Sequence, residues 1–220
     1  HHHLSGCEKV VQLPRLKQST ATSAEGHNHA GGFMPHPREY GVAGLWTEKP
    51  IFFGKDESYR WDKIKDRWMV GWRKECGGPL RGKVLLEKSP PNVIRADLLQ
   101  NNFPNSYFIV MVRDPYAVAE GMRRRHGHNI ERAAKHCGSV LRFQSRNLSV
   151  LKNVVWFTYS DLCDRQESVK SKMIEMLPEL GDLSFESQLS GHHSLMGQES
   201  MPMVNLNKKQ ISNLGRRDLQ

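Results

Sequence analysis

Apolar residues recur four apart between Asp62 and Lys74, where Ile64, Trp68 and Trp72 line up with Met69 alongside. That period predicts an amphipathic helix with its aromatic bulk on one face, and Cys76-Gly77-Gly78-Pro79 stops it. The period then changes. Lys83 to Glu87 is a short apolar run that reads as a buried strand, and Asn92 to Asn101 reads as a helix turning Val93, Ile94, Leu98 and Leu99 inward. Phe103-Pro104-Asn105 breaks that helix. Tyr107 to Val112 is a continuous apolar strand of the kind found in a parallel sheet covered on both faces. Pro115 suits the first turn of a helix running through Ala117, Val118 and Met122. The result is a strand-helix-strand-helix unit.

Downstream, the pattern predicts a helix over Ile130 to Leu151, a third strand from Val154 to Tyr159, and an amphipathic helix from Ser168 to Leu177 closed by Pro178. Beyond Gly181 the chain is mostly polar, and Gln210 to Leu214 hints at a last helical turn. Upstream, Val10 to Leu16 reads as a short element, Lys17 to Ser23 as a loop, and the Gly-, Pro- and His-rich stretch from His27 to Tyr40 as irregular. Neither an internal repeat nor a second domain stands out. The expected fold is a single α/β domain over residues 4–220, a central parallel sheet flanked by helices with a P-loop-like nucleotide crevice at the strand ends. His1 to His3 read as the remnant of an affinity tag.

A chain of 220 residues with 38% hydrophobic and 25% charged positions is expected to be a soluble globular domain. No apolar run approaches the ~20 residues needed to cross a bilayer, and no signal peptide is visible. The net charge of +9 favours anionic partners. Because the cations are scattered and lack a recognition-helix, zinc-finger or RNP pattern, nucleic acid is not the expected partner. Cys7, Cys76, Cys137 and Cys163 form no Cys-x-x-Cys pair, which suggests free thiols in a reduced, cytoplasmic compartment, with a Golgi-lumenal catalytic domain as the alternative. Asn147-Leu148-Ser149 is a sequon short enough to arise by chance.

Two cations stand where strands end, Lys88 and Arg113. In open α/β sheets, ligands sit just beyond the carboxyl ends of the strands, so both would point into one crevice whose natural ligand is an anion. A guanidinium offers a planar fork matched to phosphate oxygens, and the following helix start adds backbone donors. Arg113 therefore reads either as an anion ligand or as the partner of a structural carboxylate. Lys88 reads either as an active-site cation or as a solvated one. His27, His29 and His36, like His126 and His128, lack further ligands at metal-binding spacing, so no metal is expected. Neither Gly-x-Gly-x-x-Gly nor Gly-x-x-x-x-Gly-Lys-Ser/Thr occurs.

The order Glu87-Lys88-Ser89-Pro90, a helix carrying Arg95, Phe103-Pro104-Asn105-Ser106, an apolar strand, Val112-Arg113-Asp114-Pro115 and then Tyr159-Ser160-Asp161-Leu162 spans roughly Lys83 to Leu177. It resembles the sulfotransferase superfamily, in its tyrosylprotein and carbohydrate branches, whose members move a sulfuryl group from 3'-phosphoadenosine 5'-phosphosulfate (PAPS) to an acceptor. The resemblance implies PAPS as co-substrate, a hydroxyl or amine acceptor and no metal. It gives Arg113 the 3'-phosphate, Lys88 the transferring sulfonate and leaving oxygen, and Tyr159 a contact with the adenine or a place lining the site. Many members carry a serine where this chain has Gly121, beside Glu120, so a backbone amide or one of Arg123, Arg124 and Arg125 is expected to take over.

The family's 5'-phosphosulfate loop resembles Ser5-Gly6-Cys7-Glu8-Lys9, which implies Ser5, Gly6, Cys7 and Lys9 as nucleotide contacts, with Glu8 repulsive and Pro14 breaking the helix that should follow. Glu25 lies at the family's separation from this loop for a general base, and His27 is its neighbouring substitute. Two other readings stand beside this one. The first is a kinase-like phosphotransferase, which would need a magnesium carboxylate and a working Gly-rich loop. The second is a non-catalytic sulfotransferase-fold protein that holds a polyanion.

Overall fold

The computed structural model describes residues 10–12, 56–181, 183, 185, 203–215 and 218. Strand β1 (Val10–Gln12) comes first, and in the continuous part a 3-10 turn at Asp56–Ser58 precedes helix α1 (Trp61–Cys76). Strand β2 (Val84–Leu86), helix α2 (Asn92–Asn102), strand β3 (Phe108–Val112) and helix α3 (Pro115–His126) then follow in the expected alternation. The long helix α4 (Ile130–Val150) leads to strand β4 (Val154–Thr158), and helices α5 (Tyr159–Asp164) and α6 (Gln166–Met176) follow it. A short helix, α7 (Asn207–Ser212), lies near the carboxyl end.

The stripe on α1 becomes the first core. Ile64, Trp68 and Trp72 are buried there with Tyr59 and Leu99, and Trp68 stacks on Phe103 with ring centroids 5.4 Å apart. Large aromatic surfaces leaving water dominate such a cluster. Gly77 ends α1 at φ 67°, a left-handed conformation that side chains with a Cβ resist, and this matches the stop read at Gly77-Gly78. The Trp72 indole donates to the Leu86 carbonyl at 3.2 Å and so ties α1 to β2. A second core gathers Phe157, Leu162, Val169, Met173, Leu180 and Leu183 beneath β4 and α6.

The sheet differs from the expectation of one central sheet. Among the described strands, β1 pairs with β2 and β3 pairs with β4, both in parallel, as two separate ladders. β2 is three residues long. It offers few ladder groups, and the carbonyl at its end also receives the Trp72 indole. In the β3–β4 ladder Val112 faces Thr158, so both strands end level and their following residues, Arg113 and Tyr159, emerge side by side. Helix α4 braces this end, with the Gln144 amide donating to the Met111 carbonyl at 3.0 Å, and is tied to α2 by Asn147, which donates to the Val93 carbonyl at 2.7 Å. Among the described residues no helix is long and apolar enough to cross a membrane.

Candidate functional site

Arg113 is fixed first by its neighbours in sequence. Asp114 caps α3 by accepting from the Tyr116 and Ala117 amides at 2.9 and 3.2 Å, and Pro115 occupies the first turn. A short acid at the cap and a ring with preset φ start the helix immediately after the strand. The chain therefore turns sharply and leaves the Arg113 side chain at the mouth of the β3–β4 ladder.

Among the described residues, the half-buried guanidinium there is held by neutral groups. Its Nε donates to Asn207 Oδ1 at 2.9 Å, a second nitrogen donates to Gln210 Oε1, and its Cζ lies 4.1 Å from the centre of the Tyr159 ring. Among the described residues it forms no salt bridge, so the structural-carboxylate reading does not hold for them. Burial lowers the Arg113 pKa, and the charge of Arg125 lowers it further. Arginine remains charged regardless, because its ordinary value lies far above neutrality. Among the described residues, the site thus keeps a partly desolvated positive charge that no salt bridge offsets.

Tyr159 sits beside it because β4 stops one residue earlier than the sequence suggests. Thr158 and Asp161 form a capping box, and Tyr159 opens α5 instead of ending the strand. Its hydroxyl donates to the Val204 carbonyl at 2.9 Å, and burial raises its pKa.

Gly121 lies on the α3 face toward this cluster. A Cβ built there would meet Arg125 Nη2 at 3.3 Å and Gln210 Nε2 at 3.5 Å. Arg125 Nε donates back to the Gly121 carbonyl at 3.1 Å, so its guanidinium folds over the place a side chain would fill. The other two arginines of the run are engaged elsewhere. Arg123 pairs with Asp218 at 2.8 Å, and Arg124 pairs with the buried Glu120 at 3.1 Å. Glu120 also accepts from Gln210 at 3.2 Å and Asn213 at 3.3 Å, which ties α7 to α3.

Lys88 stands exposed on the turn after β2, in the other ladder. A polar network holds that turn. Glu87 accepts from both Ser89 and Asn92, and Asn92 in turn accepts from Arg95 Nε at 2.9 Å. Arg95 is fully buried, with its Cζ 5.8 Å from the centre of the Tyr59 ring.

The geometry brings together Arg113, Gly121 and Tyr159, and adds Asn207, Gln210 and Arg125. Asn207 and Gln210 escaped the sequence reading because isolated amides in a polar tail leave no periodic signal. Ser5, Gly6, Cys7, Lys9, Glu25 and His27 lie outside the described residues. Among the described residues no three His, Cys, Asp or Glu side chains gather closely enough to hold a metal ion, and Cys76, Cys137 and Cys163 are free thiols.

A family model described as sulfotransferase matches residues 38–177. That span includes Lys88, Arg113, Gly121 and Tyr159 but neither α7 nor the segment before residue 38. No curated protein and no solved structure matches the chain.

Proposed function

Because the chain belongs to the sulfotransferase family, we propose that it moves a sulfuryl group from PAPS to a hydroxyl or amine, gripping the 3'-phosphate of the nucleotide with Arg113. The observation that carries this reading is the charge of Arg113 at the strand end, held among the described residues by two amides and an aromatic ring and not by a salt bridge. A phosphate monoester complements such a cation in charge and in fork geometry. Arg125, seated over Gly121, supplies a second cation where the family serine is missing.

In the reaction the acceptor oxygen or nitrogen attacks sulfur as the bond from sulfur to the bridging oxygen breaks, leaving adenosine 3',5'-bisphosphate. The acceptor proton passes to Glu25 or His27. Lys88 faces the leaving oxygen, where a fixed ammonium stabilises the developing negative charge more than it stabilises the ground state. Ser5, Gly6, Cys7 and Lys9 hold the 5'-phosphosulfate.

The test is thermal melting with adenosine 3',5'-bisphosphate. At a hundredfold excess over Kd, a ligand stabilises by about 2.7 kcal/mol, equivalent to a rise of about 5–10 °C for a chain of this size. Arg113→Ala removes that rise. A protein stabilised by ATP and magnesium, but not by the 3'-phosphorylated nucleotide, is a phosphotransferase instead. In a transfer assay Lys88→Ala lowers the rate by about 10²–10³ while leaving nucleotide affinity within a few-fold.

A further inference from the structure

A guanidinium presents five N–H donors around a plane, and the groups that take those donors decide how much of its charge an incoming anion feels. Arg113 gives two of them to amide oxygens, Asn207 Oδ1 and Gln210 Oε1, and lays its plane near the Tyr159 ring. A carboxylate is close by but kept away. Gln210 turns its oxygen toward Arg113 and its Nε2 toward Glu120 Oε2 at 3.2 Å, so a neutral amide stands between the buried acid and the cation. Glu120 is meanwhile satisfied by Arg124 and Asn213. On the other side Asn207 is buried, donates to Ser160 Oγ at 3.3 Å, and has its backbone amide held by Asn205 at 3.1 Å. Both amides are thus oriented by second partners, and each presents its oxygen to Arg113.

We propose that Asn207 and Gln210 are positioning residues that aim the Arg113 guanidinium with neutral contacts, and so set the site's affinity for a doubly charged phosphate. Neither residue needs to touch the ligand. An amide oxygen satisfies a donor and leaves the positive charge in place, whereas a carboxylate would form a stronger, charge-assisted pair and compete with the anion. In its nucleotide form this inference rests on the PAPS reading. The anion cradle itself does not, and the choice of probes separates the two.

The decisive variant is Asn207→Asp, which is isosteric, keeps an oxygen on Arg113 Nε, and lets the Ser160 hydroxyl rotate to donate. A second variant, Glu120→Gln with Gln210→Glu, exchanges acid and amide without changing net charge. Binding of adenosine 3',5'-bisphosphate and of inorganic pyrophosphate is measured by calorimetry, with melting temperature recorded in the absence of ligand. Each variant is expected to lose at least tenfold in affinity for the probes that wild type binds, while Asn207→Asp melts at or above the wild-type temperature. A merely structural role would not weaken binding in a protein that is equally stable. Folded variants with unchanged affinity overturn the inference. If wild type binds pyrophosphate but not the nucleotide, and Asn207→Asp abolishes that binding, the cradle stands and the PAPS reading falls. If wild type binds neither probe, both fall.

Discussion

At the scale of single residues, Gly121 and Arg125 show how an absent side chain becomes a seat for another. The atom nearest a Cβ at position 121 is the far end of the Arg125 side chain, at 3.3 Å, and that end can shift by a few tenths of an ångström. Gly121→Ser is therefore expected to change stability by less than about 1 kcal/mol, with the helix-propensity gain from losing a glycine offsetting the crowding. Urea denaturation checks this. Cys137 gives a different prediction. Burial pushes its thiol from an ordinary 9.0 up to about 11. Below pH 9 both folded and unfolded chains keep the proton, whereas between the two values only the folded chain does. Stability must then fall as pH rises through that window, by roughly 1–2 kcal/mol for a partly solvated group. Cys137→Ala should remove that share of the alkaline loss when denaturation at about pH 8 is compared with about pH 10.5.

At the scale of elements, the cap at Asp114 connects stability to the site. Asp114→Ala removes the acceptor for two amides at the start of α3 and is expected to cost about 1 kcal/mol. Because Arg113 is the preceding residue, nucleotide affinity should fall along with the melting temperature. Ile64→Ala, in the α1 core, is expected to cost about 2–5 kcal/mol without touching the site. These elements were legible for a physical reason: Ile64, Trp68 and Trp72 carry the helical period in large apolar groups, and Pro115 is a local start signal. The boundary at Tyr159 was less legible. The apolar run Val154 to Phe157 continues visually into an aromatic residue, while the capping pair Thr158 and Asp161 that ends it is polar and small. The burial of Arg95 left no signal either, since a charged side chain on an amphipathic helix is usually solvated and this one is fully buried.

At the scale of the whole molecule, the +9 charge and the local cations act in the same direction. Binding of a multiply charged nucleotide should therefore weaken several-fold as salt rises from about 0.05 to 0.5 M, because screening shortens the reach of the field. Titrations across that range check it. What the sequence could not reveal at this scale is long-range closure. Asn207 and Gln210 meet Arg113 across separations of 94 and 97 residues, through neutral amides that carry neither period nor motif. Arg113 itself was visible because a strand end and a proline flank it within a few positions. The same separation has a bearing on biosynthesis. A growing polypeptide can shape the β3–β4 ladder well before the amides that steady its arginine have been made, so nucleotide recognition should mature later than the ladder that bears it.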